Sequence, residues 1–498
     1  MRITRIAAMA AALAVAAGVS ACGASPRTEE ETVLRLGAAT STVSFDSSGI
    51  IGGVSYYWHA TAAYDTLFFF PEGIGFPGDA GVEPWLATEW SYNDDRTALT
   101  ITLRDDVDFV DGTPLDAEAV KVNIDDWLAL GYLPMVEEVV VTGQYTVEVR
   151  SEPNATLVKY IGDQPVISPA ALADREQLAT EPVGSGPYLL DDYVTDSSYS
   201  FVRNPEYWNP EAFPYDRLEI TLLPDLTARV NALKSGQIDV AFVDTATAPE
   251  AEAAGFSTVT GSASWAGLYF GDRRGEINPA IGDVRVRQAI SMAMDRVGYN
   301  DAAQAGYGDT SNQIGTEGQA GLYIPERADD YAYDLDAAKE LLAEAGYPDG
   351  FDIDIPSSAW YAAYLPYYRQ TFEDLGIRVN WIDIAAENTL TEYMSGKYAV
   401  LPFGDFALAM PSTAADVDGV WNPWHNTDAQ TEELLAIFDA GSDEEAFGAL
   451  TELNEKVVDE AWYAVLAHPV TVAATTSDVD LAMNVLATIP LQNIRPAE

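Results

Sequence analysis

Three histidines, His59, His425 and His468, and one cysteine, Cys22, are all the imidazole and thiol chemistry in this 498-residue chain. The histidines are far apart, with no metal-ligand spacing between them, and one thiol builds neither a disulfide nor a Cys-based zinc site. No Gly-x-Ser-x-Gly elbow, phosphate loop or dinucleotide fingerprint occurs. Carboxylates are plentiful, but in so acidic a chain a pair says little; a glycosidase would need two of them in one cleft. These residue types argue against catalysis and against a resident metal or cofactor. Aromatic residues are the other feature with recognisable chemistry. Trp360-Tyr361 and Trp421-Asn422-Pro423-Trp424 offer flat rings that stack on sugars, aromatics and side chains alike. Core packing is the ordinary fate of such rings, yet the Asn, Pro and His neighbours of Trp421 and Trp424 favour a loop over an apolar helix face.

The charge and the amino terminus bound where such capture happens. Lys and Arg number 26 against 78 Asp and Glu, a formal net charge of −52. That field repels phosphate backbones and excludes nucleic acid as a partner. Because the acids are spread along the whole chain, surface solubility is the plainer account, and attraction of cationic solutes is the sharper one. Arg2 and Arg5 precede a short Ala-rich apolar stretch, Ile6 to Gly18, and then Val19-Ser20-Ala21-Cys22. The span is short of the roughly 20 apolar residues that cross a bilayer, so residues 1–21 read as a secretory signal. Val-Ser-Ala-Cys resembles the lipobox of bacterial lipoproteins, which would make Cys22 the acylated amino terminus; an ordinary signal with an incidental cysteine is the alternative. Residues 22–31 read as a polar tether. No later segment is apolar and long enough to span a membrane.

Strands and helices then alternate with Gly/Pro punctuation, which predicts an α/β protein. Thr32 to Gly37 is the first strand-like run. Trp85 to Tyr92 and Ala98 to Arg104 form a hairpin around Asn93-Asp94-Asp95-Arg96. Asp116 caps a helix bearing Val120, Ile124, Trp127 and Leu128 on one face; Asp225 caps another ending at Gly236, followed by a strand from Ile238 to Phe242. Val286, Ile290, Ala293 and Met294 repeat at helical spacing, and Asp334 opens a helix stopped by Gly346 and Pro348.

In order along the chain, these segments resemble the peptide/nickel (dipeptide/oligopeptide-binding, family 5) solute-binding proteins of ABC importers. The blocks are Pro84 to Trp90 with Leu103 to Leu115, Val183-Gly184-Ser185-Gly186-Pro187-Tyr188, Arg203-Asn204-Pro205-Glu206-Tyr207-Trp208, Asp225 to Val240, Asp283 to Ile290 with Asp295-Arg296, and Tyr333 to Tyr347. The resemblance implies a two-lobed type II periplasmic-binding-protein-like fold with an extra subdomain in the first lobe. Lobe I would take 32–59, 182–261 and 470–498, the extra subdomain 60–181, and lobe II 262–469. The chain would cross near Gly261 to Trp265 and near His468 to Thr471. The implied monomer would sit lipid-anchored on the extracytoplasmic face and deliver a solute to ABC permease and ATPase subunits by lobe closure. Oligopeptide is the default; an oligosaccharide, a metal chelate, another small organic, or a sensor role are the alternatives.

The resemblance also implies where ligand residues lie. The family often fixes a peptide ammonium with an Asp in a "GW.aD" segment of lobe II. Here the matching stretch is Tyr398 to Leu408, with Phe403 within it, Asp405 at the Trp position and Leu408 at the Asp position. The "DpDP" that usually follows is replaced by Ala409-Met410-Pro411-Ser412. A one-turn rearrangement would let Asp405 take the ammonium; a solvated loop Asp or a cap is the alternative. By family architecture Ser41, Thr42 and Asp46, after the first strand, face the cleft with Tyr57 and Trp58, and Trp265 lies at a crossing.

Overall fold

Leu34 and Leu36 point to one side of the extended run Val33–Ala38 and are buried, while Arg35 and Val33 stay partly exposed. That strand centres the first lobe because both neighbours run parallel to it: Arg217–Leu222, register Val33↔Arg217, and Val240–Val243, register Leu36↔Val240. The computed structural model describes residues 31–39, 44–50, 57–71, 81–154, 156–484 and 486–497. The leader, the tether up to residue 30, Cys22, Ser41 and Thr42 lie outside them.

Seven strands make the sheet of the first lobe. Their order is Ser257–Gly261, Thr471–Thr475, Val240–Val243, Val33–Ala38, Arg217–Leu222, Ser198–Arg203 and Tyr188–Val194. A second, antiparallel sheet is inserted into this lobe: Ala87–Tyr92, Ala98–Leu103, Thr146–Ser151 and Val136–Gly143. Helix Ala117–Ala129 packs on it through Val120, Ile124 and Trp127, and Asp116 caps the helix by accepting the Ala119 N–H. The hairpin is shorter than the sequence suggests, since Trp85 and Leu86 turn inward before the strand begins. The strand after helix Leu226–Lys234 likewise starts only at Val240, because Asp239 turns its carboxylate to the Arg35 N–H.

The second lobe centres on Ser264–Phe270, flanked antiparallel by Val400–Phe406 and Tyr463–Ala467. Alternation divides that small sheet into two faces. Trp265, Tyr269, Leu401, Phe403, Tyr463 and Val465 share one core with helices Ala429–Ala440 and Asp443–Asp459. Leu268, Phe270, Val400, Ala464 and Leu466 share the other with helices Val284–Met292 and Leu335–Glu344. Asp352–Ser358 and Arg378–Ile384 form a parallel pair bridged by helix Leu365–Asp374. The chain passes between lobes twice, from Gly261 to Ser264 and from Ala467 to Thr471. The fold is α/β and two-lobed, with the inserted four-stranded subdomain on the first lobe.

Candidate functional site

Open α/β sheets bind ligands outside the carboxyl ends of their strands, where loops diverge and backbone dipoles are free. This chain has a set of such ends in each lobe. Val33–Ala38, Arg217–Leu222, Val240–Val243 and Ser257–Gly261 run the same way, as do Asp352–Ser358 and Arg378–Ile384 in the other lobe. At the crossings a cavity of about 410 Å³ opens between the lobes. Trp58, Phe242 and the tail Leu486 to Ile489 line it from the first lobe, and Phe406 from the second. Ala263, Ser264 and Pro469 to Thr471 form the hinge side.

Trp58 opens the helix Trp58–Ala63, stacks on Phe242 at 5.3 Å and 13°, and donates its indole N–H to the Ile489 carbonyl at 2.9 Å. Its ring is thereby fixed as a wall. Tyr57, just before that helix, is half-buried against the first-lobe core. Asp46 is placed otherwise: it caps the short turn Ser47–Gly49 and pairs with Arg175, which also holds Asp126. Its charge is matched within the lobe.

Asp405 ends the strand Val400–Phe406, directly opposite Trp265. Oδ1 accepts the Phe406 N–H at 2.8 Å, and the Trp421 side chain donates to the same carboxylate. Burial pushes the carboxyl above its ordinary value, and these two donors oppose it only in part. Among the described residues no lysine, arginine or histidine forms a salt bridge with it. Around it stand rings: Trp421 edge-on to Phe403 at 5.1 Å, and Tyr361, which donates to the Gly404 carbonyl at 3.4 Å. Burial, helped by the Asp405 charge, pushes the Tyr361 phenol up to about 12. Trp360, beside it at the carboxyl end of Asp352–Ser358, is 55% exposed.

The remaining candidates pack. Trp265 and Phe403 are 2% exposed and form the floor beneath Asp405. Trp424 sits at the far end of the central strand, against Gly271 and edge-on to Tyr269, with its N–H on the Tyr398 carbonyl. The structure thus brings Trp265, Tyr361, Phe403, Asp405 and Trp421 together and leaves Trp424 and Asp46 apart from them. Sequence reasoning missed Phe406, Phe242 and the tail. The two phenylalanines end strands, a signal that was readable; nothing local marks Leu486 to Ile489 as cleft residues. Among the described residues no group of three or more His, Cys, Asp or Glu could hold a metal ion, and no helix is long and apolar enough to cross a membrane.

Residues 81–431 match the family model "Bacterial extracellular solute-binding proteins, family 5 Middle". The chain belongs to that family. Among curated family 5 relatives, heme-binding protein A of Haemophilus influenzae is 29% identical over 64% of this chain and 62% of its own length. The nickel-binding periplasmic protein of Escherichia coli is 26% identical over 56% of each chain. The matched region therefore spans less than two thirds of those relatives. Solved structures agree on the fold across almost the whole length. HbpA2 from Haemophilus parasuis superposes with a TM-score of 0.77 at 19% identity, covering 94% of this chain and 100% of that one. NikA from Brucella suis, in complex with Fe(III)-EDTA, gives 0.75 at 19%, covering 93% and 99%.

Proposed function

We propose that this chain captures a small organic solute outside the cytoplasm by closing its lobes on it, and delivers it to the permease and ATPase subunits of an ABC importer. The observation that carries the reading is the cavity of about 410 Å³ at the crossings between the lobes, walled by Trp58, Phe242 and Phe406. Asp405, a partly desolvated carboxylate with no salt bridge among the described residues, stands one residue before Phe406, and a ligand ammonium would relieve its cost. The solute then binds the closed arrangement better than the open one, which is the condition for closure to be ligand-driven. Oligopeptide, the class that the family resemblance implies, supplies an ammonium at its amino terminus. Heme, nickel and glutathione in the names of relatives mark how widely this scaffold varies its cargo.

Cys22 is proposed as the acylated amino terminus, with residues 22–31 as the tether that holds the protein at the membrane surface. The lobe boundaries at 261/262 and 469/470, the subdomain 60–181 and the monomeric state belong to the same proposal. The test has two arms. Fluorophores on the two lobes should report closure when solute released from the purified protein is added back to stripped protein; a constant interlobe distance would sink the reading. Fatty-acid labelling in cells should reach the wild type and fail for Cys22→Ser.

A further inference from the structure

We propose that the inserted subdomain is a latch on the closed protein: its hairpin turn at Arg96 and its helix at Tyr160 grip one corner of lobe II and set how long the lobes stay shut. This rests on the proposed closure around a solute and adds to it a holding element outside the solute cleft. Two observations carry it, one at Arg96 and one at the surface it meets.

Arg96 ends the turn Asn93-Asp94-Asp95-Arg96 between strands Ala87–Tyr92 and Ala98–Leu103. Its φ is 52°, in the left-handed region where glycine or asparagine is the easy choice. Backbone holds the turn on both sides. The Arg96 N–H donates to the Asn93 carbonyl at 3.1 Å, and the Asn154 N–H donates to the Arg96 carbonyl at 3.1 Å. The guanidinium lies over the Tyr92 ring, 4.9 Å from its centroid, and the residue is only 7% exposed. A buried guanidinium on a left-handed backbone is unfavourable on both counts. What answers its charge comes from the other lobe. Among the described residues its salt bridge is to Asp443, the first residue of helix Asp443–Asp459. The Glu445 carboxyl, held below its ordinary value first by Ser442, also feels the Arg96 charge.

The second contact lands on the same corner. Helix Leu157–Gly162 is tied to the Arg96 hairpin, since the Val158 N–H donates to the Tyr92 hydroxyl at 3.0 Å. From this helix the Tyr160 phenol lies beside the Ser412 hydroxyl, and burial, helped by the Asp439 carboxylate, pushes the phenol above its ordinary value. Asp439 is in the last turn of helix Ala429–Ala440, and Asp443 opens the next helix. None of these residues lines the cavity at the crossings. A different contact joins the lobes beside the hinge. Tyr307 of lobe II packs on first-lobe residues and donates to Glu252 at 2.8 Å, in a loop whose Gln304 accepts the Val470 N–H at 3.2 Å. A contact beside the pivot survives a swing of the lobes. One that shares no residue with either crossing has to part before they open. A screened ion pair shifts such an equilibrium only a few-fold, so the latch tunes release and leaves closure itself to the solute.

Fluorophores on the two lobes of the full mature protein, followed as co-purified solute is diluted away, test the latch. Arg96→Gln should speed reopening about 3-fold and Asp443→Asn about 2-fold, with association rates near wild type. The double variant should reopen no faster than Arg96→Gln alone, because either change breaks the same pair. Arg150→Gln is the control: Arg150 belongs to the same sheet but pairs with Glu138 and Glu148 inside the subdomain, and its variant should reopen like wild type. Asp443→Asn reads the latch from lobe II, so the test stands even where Arg96→Gln disturbs the turn. Unchanged reopening in Asp443→Asn, or equally fast reopening in Arg150→Gln, overturns the latch and leaves solute capture standing. An interlobe distance that the co-purified solute does not change overturns both.

Discussion

Two carboxylates whose pKa desolvation raises, one in each lobe, have opposite surroundings. Asp65, in the first lobe, accepts from the Trp85 indole at 2.7 Å, the Tyr207 hydroxyl at 2.8 Å, the Ser185 hydroxyl at 2.9 Å and the Trp208 indole at 3.3 Å. Arg104 covers Trp208 from outside at 3.6 Å. Burial still pushes the Asp65 carboxyl up to about 6, but every lone pair is used. Asp405 has a backbone N–H and one indole, and is only partly buried. One carboxylate is a fastening between elements; the other is an unmet demand. Asp65 is the more deeply buried, and the donor set is what separates the two roles.

The comparison breaks most visibly at Asp65. Asp65→Ala leaves four donors without an acceptor and should cost about 3 kcal/mol or more of unfolding free energy in urea titration at pH 7. A loss under about 1 kcal/mol would mean that water replaces the carboxylate. The raised carboxyl also sets a sign. Its stabilising protonated form is fully present below the unfolded value and lost as pH rises through about 6. The gap between wild type and Asp65→Ala should therefore widen by about 2 kcal/mol from pH 7 to pH 4.5. A gap independent of pH would show that Asp65 does not titrate in that window.

Next in size is Gly186→Ala. A Cβ there would stand 2.3 Å from the Ala63 carbonyl carbon, at the end of helix Trp58–Ala63. Backbone cannot yield as a side-chain tip can, so about 2 kcal/mol should be lost, read from the denaturant midpoint. Asp405→Asn should fall at the opposite pole. Unfolding free energy should move by less than about 0.5 kcal/mol, or rise, because an unpaired desolvated charge is removed. A comparably small effect, on affinity instead of stability, belongs to Asp443→Asn. Its partner Arg96 is buried, but Asp443 is about half-exposed and solvent screens the pair. Affinity for the co-purified solute should fall roughly twofold, by about 0.5 kcal/mol, in calorimetric titration.

Asp65 explains why the scaffold was legible from sequence and the site was not. Trp85, Ser185, Tyr207 and Trp208 come from three separate blocks that carry the family resemblance, and all four converge on Asp65. The block Asp283 to Ile290 is of the same kind: Arg287 is buried and donates to the carbonyls of Ile281, Glu460 and Ala461. Arg296 is likewise buried, on the Tyr331 carbonyl and the Ser291 hydroxyl. Burial pulls both guanidiniums down to about 10. What similarity reports is this internal fastening, because every member of a fold must fasten in the same places. Helix caps at Asp116, Asp225 and Asp334 were readable for a local reason, one side chain bonding an N–H three residues on.

The cleft obeys neither rule. Asp405 stands where the resemblance breaks, and its partners Trp421 and Tyr361 arrive from distant segments that only the fold brings together. Trp424 shows the converse. Its polar neighbours suggested an open loop, yet Asn422 and Asn426 spend their amides on each other and on the Gly271 carbonyl, which seals the ring beneath them. Polar sequence context signals exposure only where the polar groups lack internal partners.

The two passages between lobes are short and lie side by side. Gly261 pairs with Thr471 on one side and Ala266 with Ala467 on the other, with Ser262-Ala263 and His468-Pro469-Val470 between. Few residues give little reach, so under the proposed closure the halves would swing about a fixed line and neither slide nor part. On that proposal the path of motion is built into the backbone before any cargo arrives, and cargo chemistry would decide only how much of the time the door stays shut.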